Sequence, residues 1–91
     1  MNYKIIITEE FDKKIKKFLK KHHDMYPKVV KTMTLLADNP FHPSLRLHKL
    51  QGNLADYHSV SMDMSYRIVI EFIIKDGQII PIEIGSHDEV H

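Results

Sequence analysis

Histidine and arginine are the residue types in this sequence that are best suited, respectively, to proton transfer and to the binding of a phosphate. The chain has seven histidines and no cysteine among its 91 residues. Imidazole gains and loses protons near neutral pH, and a guanidinium presents planar, paired donors to an anion. Since a lone histidine is more often a surface or core residue than a catalytic one, its position relative to an arginine decides whether it is a candidate.

Asp76–Gly77 predicts a hairpin that brings the start of one strand beside the end of the next. This dipeptide lies between two segments of strand-like composition and is typical of a two-residue turn. Such a turn pairs Lys75 with Gln78 and, further from the turn, Arg67 with Ser86. We therefore expect Arg67 to lie one strand spacing, about 4.8 Å, from the end of the neighbouring strand.

His87 follows that strand end, and the face of the sheet on which it lies depends on Gly85. Strict alternation puts His87 on the face opposite Arg67, together with Tyr66. Glycine permits a bulge or turn at a strand end, so we expect the chain to bend at Gly85 and to bring His87 to the Arg67 side. Arg67 and His87 then form one candidate site.

Periodic apolar residues predict the elements that carry this site. They favour an α+β fold, with a helical hairpin packed on one face of a mainly antiparallel four-stranded sheet in the order β-α-α-β-β-β. The predicted strands are 3–7, 57–62, 66–74 and 78–84. The first predicted helix begins after Thr8 and is interrupted at residues 22–24, and the second has Pro27 in its first turn and runs to about Asp38. We expect residues 1–91 to form one domain, because a chain of this length buries only one core.

Alternation and helical spacing predict which residues are buried. On the last two strands these are Ile68, Ile70, Phe72, Ile74, Ile80, Ile82 and Ile84. On the second helix they are Tyr26, Val29, Val30, Met33 and Leu36 or Leu35. The open face of the sheet is expected to carry Ser59, Ser61, Arg67, Glu71 and Glu83.

Charges are divided unevenly along the chain. Residues 1–50 hold eleven Lys or Arg against five Asp or Glu, whereas residues 51–91 hold two against seven. This asymmetry permits a phosphate-binding surface, although the lysines of the first helix are equally consistent with a solvated face. The lack of cysteine and the short apolar run at the N-terminus lead us to expect a cytoplasmic protein without membrane contact.

Three segments carry a likeness to a known family: His48–Leu54, Tyr66–Ile68 and Ile84–Val90. In this order they resemble the RelE/ParE superfamily of bacterial toxins, and within it the YafQ-type messenger RNA interferases. The resemblance implies a type II toxin that cuts messenger RNA in the ribosomal A site as an endoribonuclease, without a metal or cofactor. It also implies a cognate antitoxin as partner, and hence a toxin–antitoxin hetero-oligomer.

The same resemblance assigns roles to six residues. His48 and His87 match histidines of the YafQ-type motifs and are expected to act as acid and base, in either order. Arg67 matches an arginine of RelE-like members and is expected to hold the phosphate. The residues expected to bind RNA are Arg46, Lys49 and Tyr66, the last by stacking on a base.

Some residues depart from the family pattern. Ser61 and Ser65 stand where a histidine and an aspartate are usual, and His91 stands where an aromatic residue often ends the motif. We therefore expect the roles of that histidine and that aspartate to be unfilled in this chain.

Other interpretations of these residues remain open. Arg67 could pair with Glu71 or Glu83 on the sheet, and Ser86–Glu89 could be a capping box that begins a helical turn. The chain could also be a ParE-like toxin that inhibits DNA gyrase without cutting RNA, or an inactive relative that still binds an antitoxin. The histidines show no spacing typical of a metal site.

Overall fold

Two helices lie against one face of a five-stranded sheet. The computed structural model describes residues 2–52, 56–73 and 76–87. The elements are β1 (Lys4–Ile5), α1 (Glu9–Lys21), α2 (Tyr26–Asp38), β2 (His48–Lys49), β3 (Tyr57–Ser61), β4 (Tyr66–Ile73) and β5 (Gln78–Ser86). The strand order is β1-β5-β4-β3-β2, with β1 parallel to β5 and the other pairs antiparallel. The α+β architecture is confirmed, but the expected count of four strands is wrong because β2 lies within the expected connection.

Local sequence signals explain the start and the buried side of α1. The Thr8 side chain accepts a hydrogen bond from the Phe11 amide at 3.1 Å and so caps the helix. Acidic residues in the first turn stabilise α1 by their interaction with the positive end of the helix dipole. Phe11 and Phe18 are buried, and Ile15 and Leu19 pack against the same core. The helical spacing of these four apolar residues in the sequence agrees with the buried side of α1.

The buried side of α2 differs from the prediction at two residues. Leu36 is buried as expected, but Tyr26 is 60% exposed and Val30 is 46% exposed. The buried side passes instead through Thr32, which is 3% exposed. Its hydroxyl donates to the Lys28 carbonyl at 2.7 Å, so this polar residue remains satisfied in a core position.

A β-bulge at Ile82 changes the register between β4 and β5. Val69 pairs with Glu83, but the next residue, Ile70, pairs with Pro81, so Ile82 has no partner on β4. Proline has no N–H for the ladder and is tolerated in strands mainly at edges and bulges, which explains why the extra residue falls beside Pro81. Every later residue of β5 is shifted by one position relative to β4.

The bulge also decides which residues of β5 enter the core. The buried residues on the helix-covered face of β5 are Ile79, Pro81 and Ile84. The expectation that Ile80 and Ile82 share this face with Ile84 is wrong, because uninterrupted alternation ignores the extra residue. On β4 the expected core residues Ile68 and Ile70 are confirmed, and both are fully buried.

The connection between β4 and β5 is longer than predicted. Gln78 pairs with Ile73, so four residues, 74–77, separate the paired positions instead of two. Gly77 has a φ of 63°, which glycine adopts without a Cβ clash. The expected partner of Gln78, Lys75, and the expected core residue Ile74 lie outside the described residues.

Candidate active site

The register places His87 and Arg67 on the same face of the sheet. Arg67 pairs with Gly85, and not with Ser86 as predicted. The His87 amide donates to the Ser65 carbonyl at 3.2 Å, which continues the pairing one residue beyond β5. By alternation, residues 85 and 87 share the face of Arg67, on the side away from the helices.

Arg67 and His87 reach this common face by a different route from the one expected. Gly85 is a regularly paired residue of β5, so the expectation of a bend there is wrong. The bulge at Ile82 shifts the register instead. His87 lies on the expected face because one extra residue in a strand reverses the alternation of inward and outward side chains for all the residues after it.

The guanidinium of Arg67 is available to bind an anion. Arg67 is half-buried, and it forms no ion pair with any residue that the structure describes. The Glu83 carboxylate, one of its possible partners, binds Lys14 Nζ at 3.0 Å instead. Lys14 also donates to the Ile82 carbonyl at 3.2 Å and so connects α1 to the bulge.

β2 adds His48 to the same face. His48 pairs with Ser59, Ser59 pairs with Val69, and Val69 pairs with Glu83. Arg67 is two residues from Val69 along β4, so it shares this face. His48 lies in β2, and His87 directly follows β5. These two strands are three strand spacings apart, about 14 Å between their axes, and the strand of Arg67 lies between them.

A small apolar cluster lies beside His48. Leu50 and Val69 are buried together, and Tyr57 packs against them. Ser59, which pairs with both His48 and Val69, is fully buried, and its hydroxyl has no hydrogen-bond partner among the described residues. The candidate site therefore has a partly apolar floor under its polar side chains.

The edge of the sheet at β2 is electropositive. Burial lowers the pKa of His58, and the electrostatic interactions with Lys49 and His48 lower it further. Lys49 pairs with His58 in register, and both residues of β2 are exposed. An anion bound at this edge would offset the repulsion among these cations.

Comparison with known families identifies the kind of protein that carries this site. A family model described as "Bacterial toxin of type II toxin-antitoxin system, YafQ" matches residues 3–91. The chain belongs to the YafQ family of bacterial toxins. A search of curated proteins gave no significant match.

Solved structures of YafQ and of related toxins share the fold. YafQ from E. coli strain BL21(DE3) has a TM-score of 0.76 at 21% identity, over 97% of each chain. A chain of the E. coli DinJ–YafQ toxin–antitoxin complex has a TM-score of 0.75 at 21% identity, over 99% of this chain and 98% of that one. A YoeB/ParE toxin from Agrobacterium tumefaciens has a TM-score of 0.69 at 20% identity, over 92% and 98%. These likenesses confirm the RelE/ParE-type fold.

Of the RNA-binding residues predicted for this YafQ-family chain, Tyr66 lies away from the candidate site. Its ring packs against Phe18 and His22, with centroid distances of 5.3 and 5.0 Å, and its hydroxyl lies 3.3 Å from His22 Nδ1. Tyr66 precedes Arg67, so alternation directs it towards the helices. The structure therefore does not bring Tyr66 together with Arg67 and the two histidines.

The departures from the YafQ-type pattern at Ser61 and Ser65 lie in and beside the β3–β4 turn. Ser61 pairs with Arg67, and its hydroxyl donates to the Asp63 carbonyl at 2.6 Å. The Asp63 carboxylate accepts from the Ser65 amide at 2.8 Å and from Lys28 Nζ at 2.9 Å. Burial raises the pKa of Asp63, but these hydrogen bonds and the charge of Lys28 outweigh it and lower the pKa overall. Both serines therefore stabilise the turn beside Arg67.

The bulge at Ile82 and the short strand β2 give no periodic signal in the sequence. Pro81 interrupts a strand-like segment, and a proline inside a strand is itself evidence for a bulge. β2 has only two residues, too few to show alternation. The proline was therefore the signal that could have predicted the face of His87, whereas the pairing of His48 had none.

The described residues contain no group of three or more potential ligands that could hold a metal ion. Within the same residues, neither helix is long and apolar enough to cross a membrane. The capping box predicted at residues 86–89 lies partly outside the described residues, and His91 lies outside them entirely.

Proposed function

We propose that this YafQ-family toxin is a ribosome-dependent endoribonuclease that cuts messenger RNA in the ribosomal A site. The observation that carries the proposal is the common face of Arg67, His48 and His87, with the strand of Arg67 between those of the histidines. Family membership supports a toxin. A guanidinium without an ion pair among the described residues supports the recognition of phosphate.

In the proposed reaction the ribose 2′-hydroxyl attacks the adjacent phosphate. The O2′–P bond forms as the P–O5′ bond breaks, which leaves a 2′,3′-cyclic phosphate and a 5′-hydroxyl. One histidine accepts the proton of the 2′-hydroxyl, and the other gives a proton to the leaving 5′ oxygen. These groups act on opposite sides of the phosphorus, and the strand of Arg67 lies between those of the two histidines. Arg67 stabilises the negative charge that develops on the phosphoryl oxygens.

Arg46 and Lys49 supply the proposed contacts to the RNA backbone. Both are exposed and lie within two residues of His48, and Lys49, which pairs with His58, extends from the helix side of this edge strand. These two basic side chains give this edge of the sheet a positive charge. Tyr66 has no part in the proposal, because its ring is engaged with Phe18. The reaction requires no metal or cofactor.

A cognate antitoxin is the proposed protein partner. The E. coli relative is found in a DinJ–YafQ toxin–antitoxin complex. By analogy, we propose that an antitoxin forms a hetero-oligomer with this toxin and covers the face of Arg67 and the histidines, where it would exclude RNA.

Mapping of messenger RNA 5′ ends in a translating extract, with and without ribosomes, tests the proposed activity. The wild type should cut within reading frames only when ribosomes are present. His87→Ala should lower the cleavage rate at least about 100-fold, the usual minimum for loss of a general acid or base. Arg67→Ala should lower it by a similar factor of about 100, because the charge on the phosphoryl oxygens is no longer stabilised.

His23→Ala is the matched control, because this histidine is exposed and lies in the connection between α1 and α2. It should cleave like the wild type. Unchanged cleavage by a folded His87→Ala protein would contradict the catalytic assignment. Gyrase-dependent DNA damage without RNA cuts would favour a ParE-like toxin instead.

A further inference from the structure

Arg46 has an unusual backbone conformation two residues before His48. Its φ and ψ are both 48°, and among the described residues it is the only non-glycine with a positive φ. This left-handed region is disfavoured for residues with a Cβ, apart from asparagine and aspartate, so other residues stay there only where the surrounding structure requires it.

The short 3₁₀ turn Pro43–Leu45 accounts for this conformation. The Arg46 amide donates to the carbonyl of the first residue of the turn at 3.2 Å. The last residue, Leu45, is fixed in the core with 1% exposure. At the other end, His42 Nδ1 accepts a hydrogen bond from the Ser44 amide at 3.2 Å. The turn is therefore held at both ends, and Arg46 completes it.

The Arg46 carbonyl faces the ring of His48. His48 Nδ1 lies 3.1 Å from the Arg46 oxygen. A carbonyl oxygen only accepts hydrogen bonds, so Nδ1 must carry the hydrogen. A neutral ring then has its lone pair on Nε2. This contact therefore specifies the Nδ1–H tautomer and helps to orient the ring.

We infer that Arg46 is a positioning residue, whose left-handed backbone directs its carbonyl at His48 Nδ1 and fixes the Nδ1–H tautomer. Nε2 is then the atom of His48 that exchanges a proton with RNA. The catalytic meaning of this inference rests on the proposed function, whereas the tautomer is a property of the free protein. The role belongs to the backbone and is separate from any phosphate contact of the guanidinium.

The tautomer can be measured directly in the wild-type toxin. In protein with ¹⁵N-labelled histidine, long-range ¹H–¹⁵N spectra distinguish the two neutral tautomers, and His48→Gln identifies the His48 signals. At a pH above the histidine titration we expect His48 mainly as Nδ1–H. A ring mainly in the Nε2–H form would overturn the inference, whether or not the protein cleaves RNA.

Two substitutions separate the backbone of Arg46 from its side chain. Arg46→Asn and Arg46→Val both remove the guanidinium, but asparagine tolerates the left-handed region and β-branched valine does not. If the guanidinium binds RNA, both should raise KM. Only Arg46→Val should shift His48 from the Nδ1–H form and lower kcat, by at least about tenfold, because the reacting group is misplaced.

Equal kcat values for folded Arg46→Asn and Arg46→Val proteins would overturn the inference. If Arg46→Val does not fold, the wild-type spectrum still decides the tautomer. A wild-type protein that shows Nδ1–H at His48 but cleaves no RNA would contradict the proposed nuclease function and leave the tautomer assignment standing.

Discussion

At the scale of single residues, His58 connects the candidate site to the stability of the fold. It lies on the helix side of β3, where its ring meets Phe72 edge to face at 5.8 Å. Its Nδ1 is buried and has no hydrogen-bond partner among the described residues. Because burial and the charges of Lys49 and His48 lower its pKa, protonation of His58 is less favourable in the folded protein than in the unfolded chain.

His58→Gln should therefore make stability less dependent on pH. Neutral His58 makes its full contribution to the free energy of unfolding above about pH 6.5, the pKa of an unfolded histidine. This contribution is lost as the pH falls through the lowered pKa of His58 in the folded protein. Urea unfolding from about pH 7.5 to about pH 5 measures this loss, which the neutral amide should not show. His23→Gln, at an exposed histidine, should keep the wild-type slope. Parallel slopes for wild type and His58→Gln would contradict the prediction.

The chemistry of individual residues was easier to predict than their positions. Residue type and neighbouring motif were enough to select His48, Arg67 and His87 as candidates. The face of His87 was not predictable from alternation, since it depends on a bulge and on a four-residue connection. These two deviations act in opposite directions on the register, so Arg67 pairs only one residue away from its predicted partner.

At the scale of elements, two serines of β3 allow a direct comparison of a paired and an unpaired hydroxyl. Ser59 is fully buried with no partner among the described residues, whereas Ser61 donates to the Asp63 carbonyl at 2.6 Å. A buried hydroxyl without a partner destabilises the folded state, while a typical hydrogen bond contributes about 0.5–1.5 kcal/mol.

Ser59→Ala should leave the free energy of unfolding unchanged or raise it by up to about 1 kcal/mol. Ser61→Ala should lower it by about 0.5–1.5 kcal/mol, because the Asp63 carbonyl loses a donor. Chemical denaturation of the two variants beside the wild type measures both effects. The prediction fails if Ser59→Ala is the more destabilising substitution.

The elements that sequence predicts well are those with a repeated local signal. α1 has a cap, acidic residues in its first turn and a continuous apolar stripe, and all of these agree with the structure. The burial of Thr32 on α2 was not predictable from hydrophobicity, because a backbone carbonyl of the same helix satisfies its hydroxyl. β2 exists through its pairing with β3 and has no local signal of its own.

At the scale of the whole molecule, the lysines of α1 face the last part of β5 across an open cleft. The cleft has a volume of about 310 Å³ and is lined by Lys14, Lys17, Phe18, Lys21, His22, Glu83, Ile84 and Gly85. Lys14 is paired with Glu83, but Lys17 and Lys21 form no ion pair with the residues that the structure describes. Uncompensated positive charge therefore lies beside the strand that leads to His87.

Lys17→Gln combined with Lys21→Gln should weaken binding to ribosomes and make it less sensitive to salt. For every phosphate that the variant no longer binds, the negative slope of log affinity against log salt should decrease in magnitude by about 0.7–0.9. Lys13→Gln with Lys20→Gln is the matched control, on the same helix but outside the cleft. Affinities measured over a range of salt concentrations would give the slopes. Equal effects of the two double substitutions would indicate that the helix face is merely solvated.

The bulge at Ile82 changes which residues of β5 face the helices. Up to Pro81 the odd-numbered residues face the helices, whereas beyond Ile82 the even-numbered residues do and His87 faces outwards. Loss of the single codon for Ile82 would remove the bulge but would leave Glu83 opposite Val69 and His87 on the outward face, because only the residue without a partner on β4 is lost. Genetic selection for cells that survive the toxin without its antitoxin should therefore recover substitutions of Arg67 and the histidines in preference to in-frame deletions at the Ile82 codon.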